Sequence, residues 1–132
     1  MTYQSYSSTS TSGRSEAEMM SATTLIGDRV RNMSGEDLGK LEEIMLDMDG
    51  GRVAYAVLSF GGVLGMGNKL FAVPWDALTV DTENKELVLN IDRETLENAP
   101  GFDKDNWPGT ETGSQWLVDV YDYYGYEPYW TR

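Results

Sequence analysis

Residues 52–62 read Arg-Val-Ala-Tyr-Ala-Val-Leu-Ser-Phe-Gly-Gly, and the stretch before the two glycines decides the fold. Side chains alternate across a strand, so Val53, Tyr55, Val57 and Ser59 share one face while Ala54, Ala56, Leu58 and Phe60 share the other. Both rows are largely apolar, which predicts a strand covered on both sides. A crowded inside and a capped outside suit a closed or half-closed barrel. Immediately upstream, Asp49-Gly50-Gly51 supplies the positive φ values that a tight hairpin needs, so Lys40 to Met48 is expected to pair with this strand. Further short apolar segments recur at about ten-residue spacing: Arg29 to Asn32, Lys69 to Val73, Leu78 to Asp81 and Glu86 to Asn90. The last two are joined by Asp81-Thr82-Glu83-Asn84-Lys85. The expected class is mainly β, a small antiparallel β-barrel occupying residues 22–91.

The flanks have a different texture. Residues 1–21 are rich in Ser and Thr with almost no branched aliphatic residues, too few to offset the entropy of ordering, and are expected to form a disordered tail. Residues 92–132 read as a helical and aromatic extension that packs on the barrel or on a second subunit. Asp92 is placed to cap a short helix running to Asn98, which Ala99-Pro100-Gly101 ends. A longer helix is predicted from Ser114, its N-cap, to Tyr124, with Gly125 just past its end. Leu117, Val120, Tyr121 and Tyr124 fall at i, i+3, i+4 and i+7 and form one apolar face, expected to dock on the barrel.

Composition removes several kinds of chemistry. The 132 residues hold 22 acidic and 10 basic side chains and neither histidine nor cysteine. A histidine-dependent nucleophile system, a zinc finger and a disulfide staple are therefore excluded. A formal charge of −12 disfavours direct nucleic-acid binding, which depends on Lys and Arg displacing counterions. The charge is uneven: −1 over residues 1–24, −5 over residues 25–91 and −6 over residues 92–132. No run approaches the ~20 apolar residues of a membrane-spanning helix, and the N-terminus lacks the pattern of a secretory signal; a cytoplasmic protein is expected.

Three motifs invite a ligand reading and each fails on spacing. In the loop from Gly61 to Lys69, Asn68 separates Gly67 from Lys69 and a strand-like segment follows, so the phosphate-loop pattern is absent. Asp47-Met48-Asp49-Gly50 begins like a calcium loop, but Arg52 and Leu58 hold its sixth and twelfth positions, and a hairpin turn is expected instead. Asp103, Asp105 and Glu111 have no ligand spacing at all. No catalytic residue, cofactor or metal site is assigned, since a small barrel filled by its own side chains leaves little volume to shelter a carboxylate pair from water.

The stretch from Ile26 to Leu78 resembles a PRC-barrel domain, the small β-barrel shared by the cytoplasmic part of the photosynthetic reaction-centre H subunit and the C-terminal domain of the ribosome maturation factor RimM. The resemblance rests on Ile26-Gly27 opening the first strand, on Asn32 with Gly35-Glu36 and on Leu38-Gly39-Lys40 at the first turn. It rests equally on the Arg52 to Gly62 strand and on Lys-Leu-Phe-Ala-Val-Pro-Trp at residues 69–75. The segments around Phe102 to Pro108 and Val120 to Trp130 are similar to tails of stand-alone bacterial members. The chain has neither the membrane helix of the one relative nor the N-terminal RNA-associated domain of the other. The family implies a scaffold for contacts with other proteins and carries no catalytic residues.

The functional expectation is thus a non-enzymatic, self-associating interaction or assembly module. Its expected partner is a protein, a basic one being favoured by the acidic surface, or a second copy of the chain, with no direct nucleic acid. Candidate contact residues are Val63, Leu64 and Met66 on the glycine-rich loop, which would form an apolar patch if exposed. The aromatics Trp107, Trp116, Tyr124, Tyr129 and Trp130 join them, because Tyr and Trp combine a large apolar body with a polar tip. A ribosome-linked factor by analogy with RimM, and a non-catalytic small-ligand or metal binder, are the alternatives.

Overall fold

The computed structural model of the protein describes residues 19–61, 68–109 and 111–131. A short helix α1 (Ala22–Leu25) leads into β1 (Arg29–Arg31), β2 (Asp37–Asp47), β3 (Arg52–Gly61) and β4 (Asn68–Val73). A 3₁₀ turn (Trp75–Ala77) then precedes β5 (Leu78–Asp81) and β6 (Glu86–Leu89). Helix α2 (Arg93–Glu97), β7 (Gly101–Phe102), helix α3 (Gln115–Tyr124) and a second 3₁₀ turn (Tyr129–Thr131) complete the chain. The strands form one sheet in the order β5-β6-β1-β2-β3-β4-β7. The mainly β class and the central β2–β3 hairpin follow the sequence reading. Residues 1–18 of the expected tail and the loop residues Val63, Leu64 and Met66 lie outside the described residues.

Two features correct the expectation of an antiparallel barrel. β1 and β6 run parallel, with Arg29 opposite Glu86, Val30 opposite Leu87 and Arg31 opposite Val88. The β5–β6 hairpin is laid as a unit on the free edge of β1, where Glu86 reaches both arginines, 2.8 Å from Arg29 Nη1 and 2.8 Å from Arg31 Nε. The guanidiniums of Arg31 and Arg29 hold the Glu86 carboxyl below the ordinary glutamate range. The sheet is also open: β5 and β7 are its edges, and no ladder joins them among the described residues. Leu25 of α1, Leu96 of α2 and nearby Ala99 join Val30, Leu41, Leu58 and Phe71 in one buried cluster. The concave face is sealed by side chains where a barrel would use backbone hydrogen bonds.

Local irregularities bend the sheet around that core. β2 begins at Asp37 rather than at Lys40, because Gly39, with φ 93°, sits in a bulge inside the strand and not in a turn before it. On β3, Met45 faces Tyr55 while the next residue, Leu46, faces Val53, so Ala54 is the extra residue. The bulge turns Ala54 to the outer face with Tyr55 and Val57, against the strict alternation the sequence predicts. Its carbonyl accepts a 2.6 Å hydrogen bond from the Tyr121 hydroxyl on α3. A buried carbonyl that the ladder leaves free is thereby satisfied by the helix that covers it.

The first turn is organised by Asn32, a polar side chain only 4% exposed. Its Oδ1 accepts from the backbone N–H of Ser34 (3.0 Å) and Glu36 (2.8 Å). Its Nδ2 donates to Glu36 Oε1 (2.8 Å) and to the Ile91 carbonyl (3.0 Å). One amide thus shapes the β1–β2 turn and ties it to the segment leading into α2, which is why an asparagine there survives burial.

Candidate functional site

β3 and β4 are covered on both sides, and the outer cover positions the site. Leu117, Val120 and Tyr121 of α3, with Tyr129 beyond it, pack on Ala54, Tyr55, Val57, Leu70 and Ala72. Helix α3 starts where the sequence places it: the Ser114 hydroxyl accepts from the Leu117 N–H at 3.3 Å, and Gly125 at φ 79° ends it. Burying each large side chain of that face contributes about 1.5–3 kcal/mol.

The last residues are fastened to the tip of the β2–β3 hairpin. Asp47, which ends β2, accepts through Oδ1 from the Asp49 N–H at 2.9 Å. Its Oδ2 accepts from the Tyr129 hydroxyl at 2.6 Å and from the Thr112 hydroxyl at 3.4 Å. Arg52, across the hairpin, donates to the Tyr129 carbonyl at 3.1 Å and lies 5.0 Å from the centre of the Tyr129 ring. The Tyr129 hydroxyl and the Asp49 N–H hold the Asp47 carboxyl below the ordinary aspartate range. Burial and the hydrogen bond to Asp47 push the Tyr129 hydroxyl up to about 12. The pair is a locked anchor with the proton on tyrosine and the charge on aspartate.

Beside this anchor lies a partly enclosed groove of about 410 Å³. Ala54, Tyr55, Trp116 and Leu117 line it on the sheet and helix side. Leu46 and Met48 flank it on the hairpin and are 58% and 83% exposed, unusual for side chains of their size beside a filled core. Asp49 on the hairpin and Glu111 on the opposite wall carry the charge of the rim. A second cavity of about 320 Å³, more polar and wider open, lies where Arg29, Gly39 and Lys40 face Ser59 and Gly61.

The sequence-selected aromatics are distributed around the outer core. Trp116 is half-buried and meets Tyr55 edge-on at 5.4 Å, in the wall of the groove. Trp107, 39% exposed, meets Phe102 of β7 at a tilt, ring centres 5.0 Å apart. Trp130 is half-buried against Tyr121 (5.9 Å) and Tyr129 (5.1 Å), and Tyr129 itself is buried. Tyr124 touches both buried clusters; its hydroxyl is enclosed with no hydrogen-bond partner among the described residues, and burial raises its pKa. The structure thus brings Trp116 and Tyr129 together at the groove and leaves Trp107 outside its lining, linked to Trp116 through Phe102, whose ring centre is 6.3 Å from that of Trp116. Sequence reasoning missed Asp47 as the acceptor of Tyr129, and it missed Leu46 and Met48. One signal was present, two apolar residues alternating with two aspartates into a glycine turn, where a buried strand would already have turned polar. Among the described residues no group of three or more acidic side chains is placed to hold a metal ion. No helix among them is long and apolar enough to cross a membrane.

A single sheet with a helical plug on one face and an aromatic cover on the other defines a small β scaffold. The family model of the PRC-barrel domain matches residues 17–96, more than half of the 132 residues, and the chain belongs to that family. No curated protein matches it. Membership supports the general role of an interaction module, and the match stops before the residues that build the outer cover.

Proposed function

We propose that the chain is a non-enzymatic protein-interaction module of the cytoplasm. The observation that carries this reading is the seam between hairpin and extension, where exposed Leu46 and Met48 border an apolar groove although the same face of β3 and β4 is otherwise covered. Large apolar side chains held at the mouth of a formed groove are the usual mark of a contact surface. The titratable groups at the seam favour binding over catalysis. Asp47 is fixed as a hydrogen-bonded carboxylate and Tyr129 as a neutral hydroxyl, both moved away from the neutral range where a general base or acid works best.

Self-association is one form of this role. Native mass spectrometry of the full chain, with affinity capture from the native host, tests the reading. A stable homo-oligomer or a stoichiometric protein partner is expected. A strict monomer at 100 μM, about a hundred times a 1 μM Kd, that also captures nothing would remove the proposal.

A further inference from the structure

The chemistry of the groove narrows its occupant. Its walls are mainly apolar, and the thioethers of Met45 and Met48 give it side chains that repack around different shapes at low cost. Its rim is anionic. Asp49 and Glu111 form no ion pair among the described residues. The nearest cation on the hairpin, Arg52, is engaged with the carbonyl and ring of Tyr129 and so is held toward the extension. Asp47 adds a third carboxylate to the lining, ionised because Tyr129 and the Asp49 N–H stabilise that form and offset in part by the charge of Arg52. An apolar trough with uncompensated carboxylates on both walls, in a chain of net charge −12, disfavours an acidic or neutral polar occupant. A volume of about 410 Å³ falls at the small end of the roughly 300–1,000 Å³ range of ligand sites, room for a few side chains of a peptide and not for a domain.

We propose that this groove docks a cationic amphipathic segment of a partner protein, an apolar anchor side chain flanked by Lys or Arg. The anchor occupies the space against Tyr55 and Trp116 beneath Met48, and the flanking cations meet Asp49 and Glu111. The inference rests on the interaction-module reading and specifies its partner chemistry.

The test is selection of random 12-residue peptides displayed on phage against the immobilised full chain, followed by fluorescence anisotropy of the enriched peptides at 50 mM and 500 mM NaCl. Enriched peptides are expected to carry Leu, Ile, Met or Phe with Lys or Arg within a few residues. Their affinity for the Asp49→Asn/Glu111→Gln variant should fall about tenfold at 50 mM salt, and the difference should shrink to about twofold at 500 mM, where the Debye length is a few ångströms. The Leu46→Ser/Met48→Ser variant should lose affinity at both salt concentrations alike. All four residues are exposed, so both variants are expected to fold; circular dichroism confirms it before binding is measured.

Enrichment of acidic or uncharged peptides overturns the proposal. So do cationic peptides that bind both variants as tightly as the parent, a result that leaves an interaction module with its contact elsewhere. A homodimer that the Leu46→Ser/Met48→Ser variant dissociates places a second copy in the groove and overturns the proposal as well. No enriched peptide, from a chain that is also monomeric and captures nothing, removes both this proposal and the reading beneath it.

Discussion

Replacing Gly39 with alanine tests how the curvature of the sheet is built, because two separable costs meet there. The first is conformational: at φ 93° an L-residue pays about 1–2 kcal/mol relative to glycine. The second is steric. A Cβ on Gly39 overlaps the Ser59 carbonyl oxygen and lies 3.0 Å from its carbon and 3.1 Å from Phe60 Cα. These are backbone atoms of β3, which is paired to β2 on one side and β4 on the other, so they have nowhere to retreat. Relief requires opening the ladder at Lys40 opposite Ser59 and disturbing Ser59 opposite Leu70. Two or three ladder hydrogen bonds at about 1 kcal/mol each add ~2–3 kcal/mol, for a total of about 3–5 kcal/mol. Gly35 provides the control, since its φ of 87° is nearly the same and a Cβ there meets nothing within 4 Å. Gly35→Ala should therefore cost only the conformational part, about 1–2 kcal/mol. Urea denaturation followed by tryptophan fluorescence reads both. With m near 2 kcal/mol/M the Gly39→Ala midpoint should fall by roughly 2 M and the Gly35→Ala midpoint by less than about 1 M. If the two variants agree within about 1 kcal/mol, the β2–β3 contact is not rigid and the steric reasoning is wrong.

Four other outcomes are expected. Because folding raises the Tyr129 hydroxyl above its ordinary value, to about 12, its contribution is complete below pH 10 and is lost as pH climbs from 10 through 12; urea midpoints at pH 9 and 11.5 should show that loss, smaller in Tyr129→Phe. The lowered pKa of Asp47 acts at the opposite end, its contribution being present above about pH 4 and lost as pH falls below it, so Tyr129→Phe should also flatten the acid limb of the stability profile. Asn32→Asp keeps the two bonds accepted by Oδ1 but loses both amide donations and sets a second carboxylate against Glu36, and should cost about 2–4 kcal/mol by chemical denaturation, against no more than 0.5 for Ser34→Ala on the exposed part of the same turn. Leu96→Ala removes a fully buried side chain from the plug of the open sheet and should cost about 2–5 kcal/mol, with increased binding of a hydrophobic dye such as ANS if the concave face loosens.

What the residues announce is the part of the structure governed by local periodicity. The two apolar rows of Val53 to Phe60 predict a doubly covered strand, and Leu117, Val120 and Tyr121 predict the face that covers it. Ser114 and Gly125 mark the ends of α3 within a residue. The features that escaped depend on register or on distant partners. Ala54 leaves its expected face because of a one-residue bulge, and nothing in the alternation of β3 signals an extra residue. The parallel β1–β6 pairing puts buried Val30 opposite buried Leu87 and is bridged by Glu86 to Arg29 and Arg31, all across more than fifty residues of chain. Asp47 looked like a turn acid, and its tyrosine lies 82 positions away. The groove inherits that opacity, since one wall comes from the hairpin and the other from residues 109–117, and no spacing rule relates the two.

The outer cover also acts as a tethered competitor. Phe102 pairs with Leu70 on β4, and α3 begins at Gln115 on that same face, so a short connection holds the helix over the surface it shields. A short covalent link keeps its cargo at an effective concentration in the millimolar range or above. A free ligand at 1 μM with the same intrinsic affinity for the β3–β4 face would therefore be outcompeted about a thousandfold. Screening for partners of that face with the intact chain would report silence even where a binding surface exists underneath. The groove at the hairpin, which the connection borders without filling, escapes this masking, and an external ligand would meet it on equal terms.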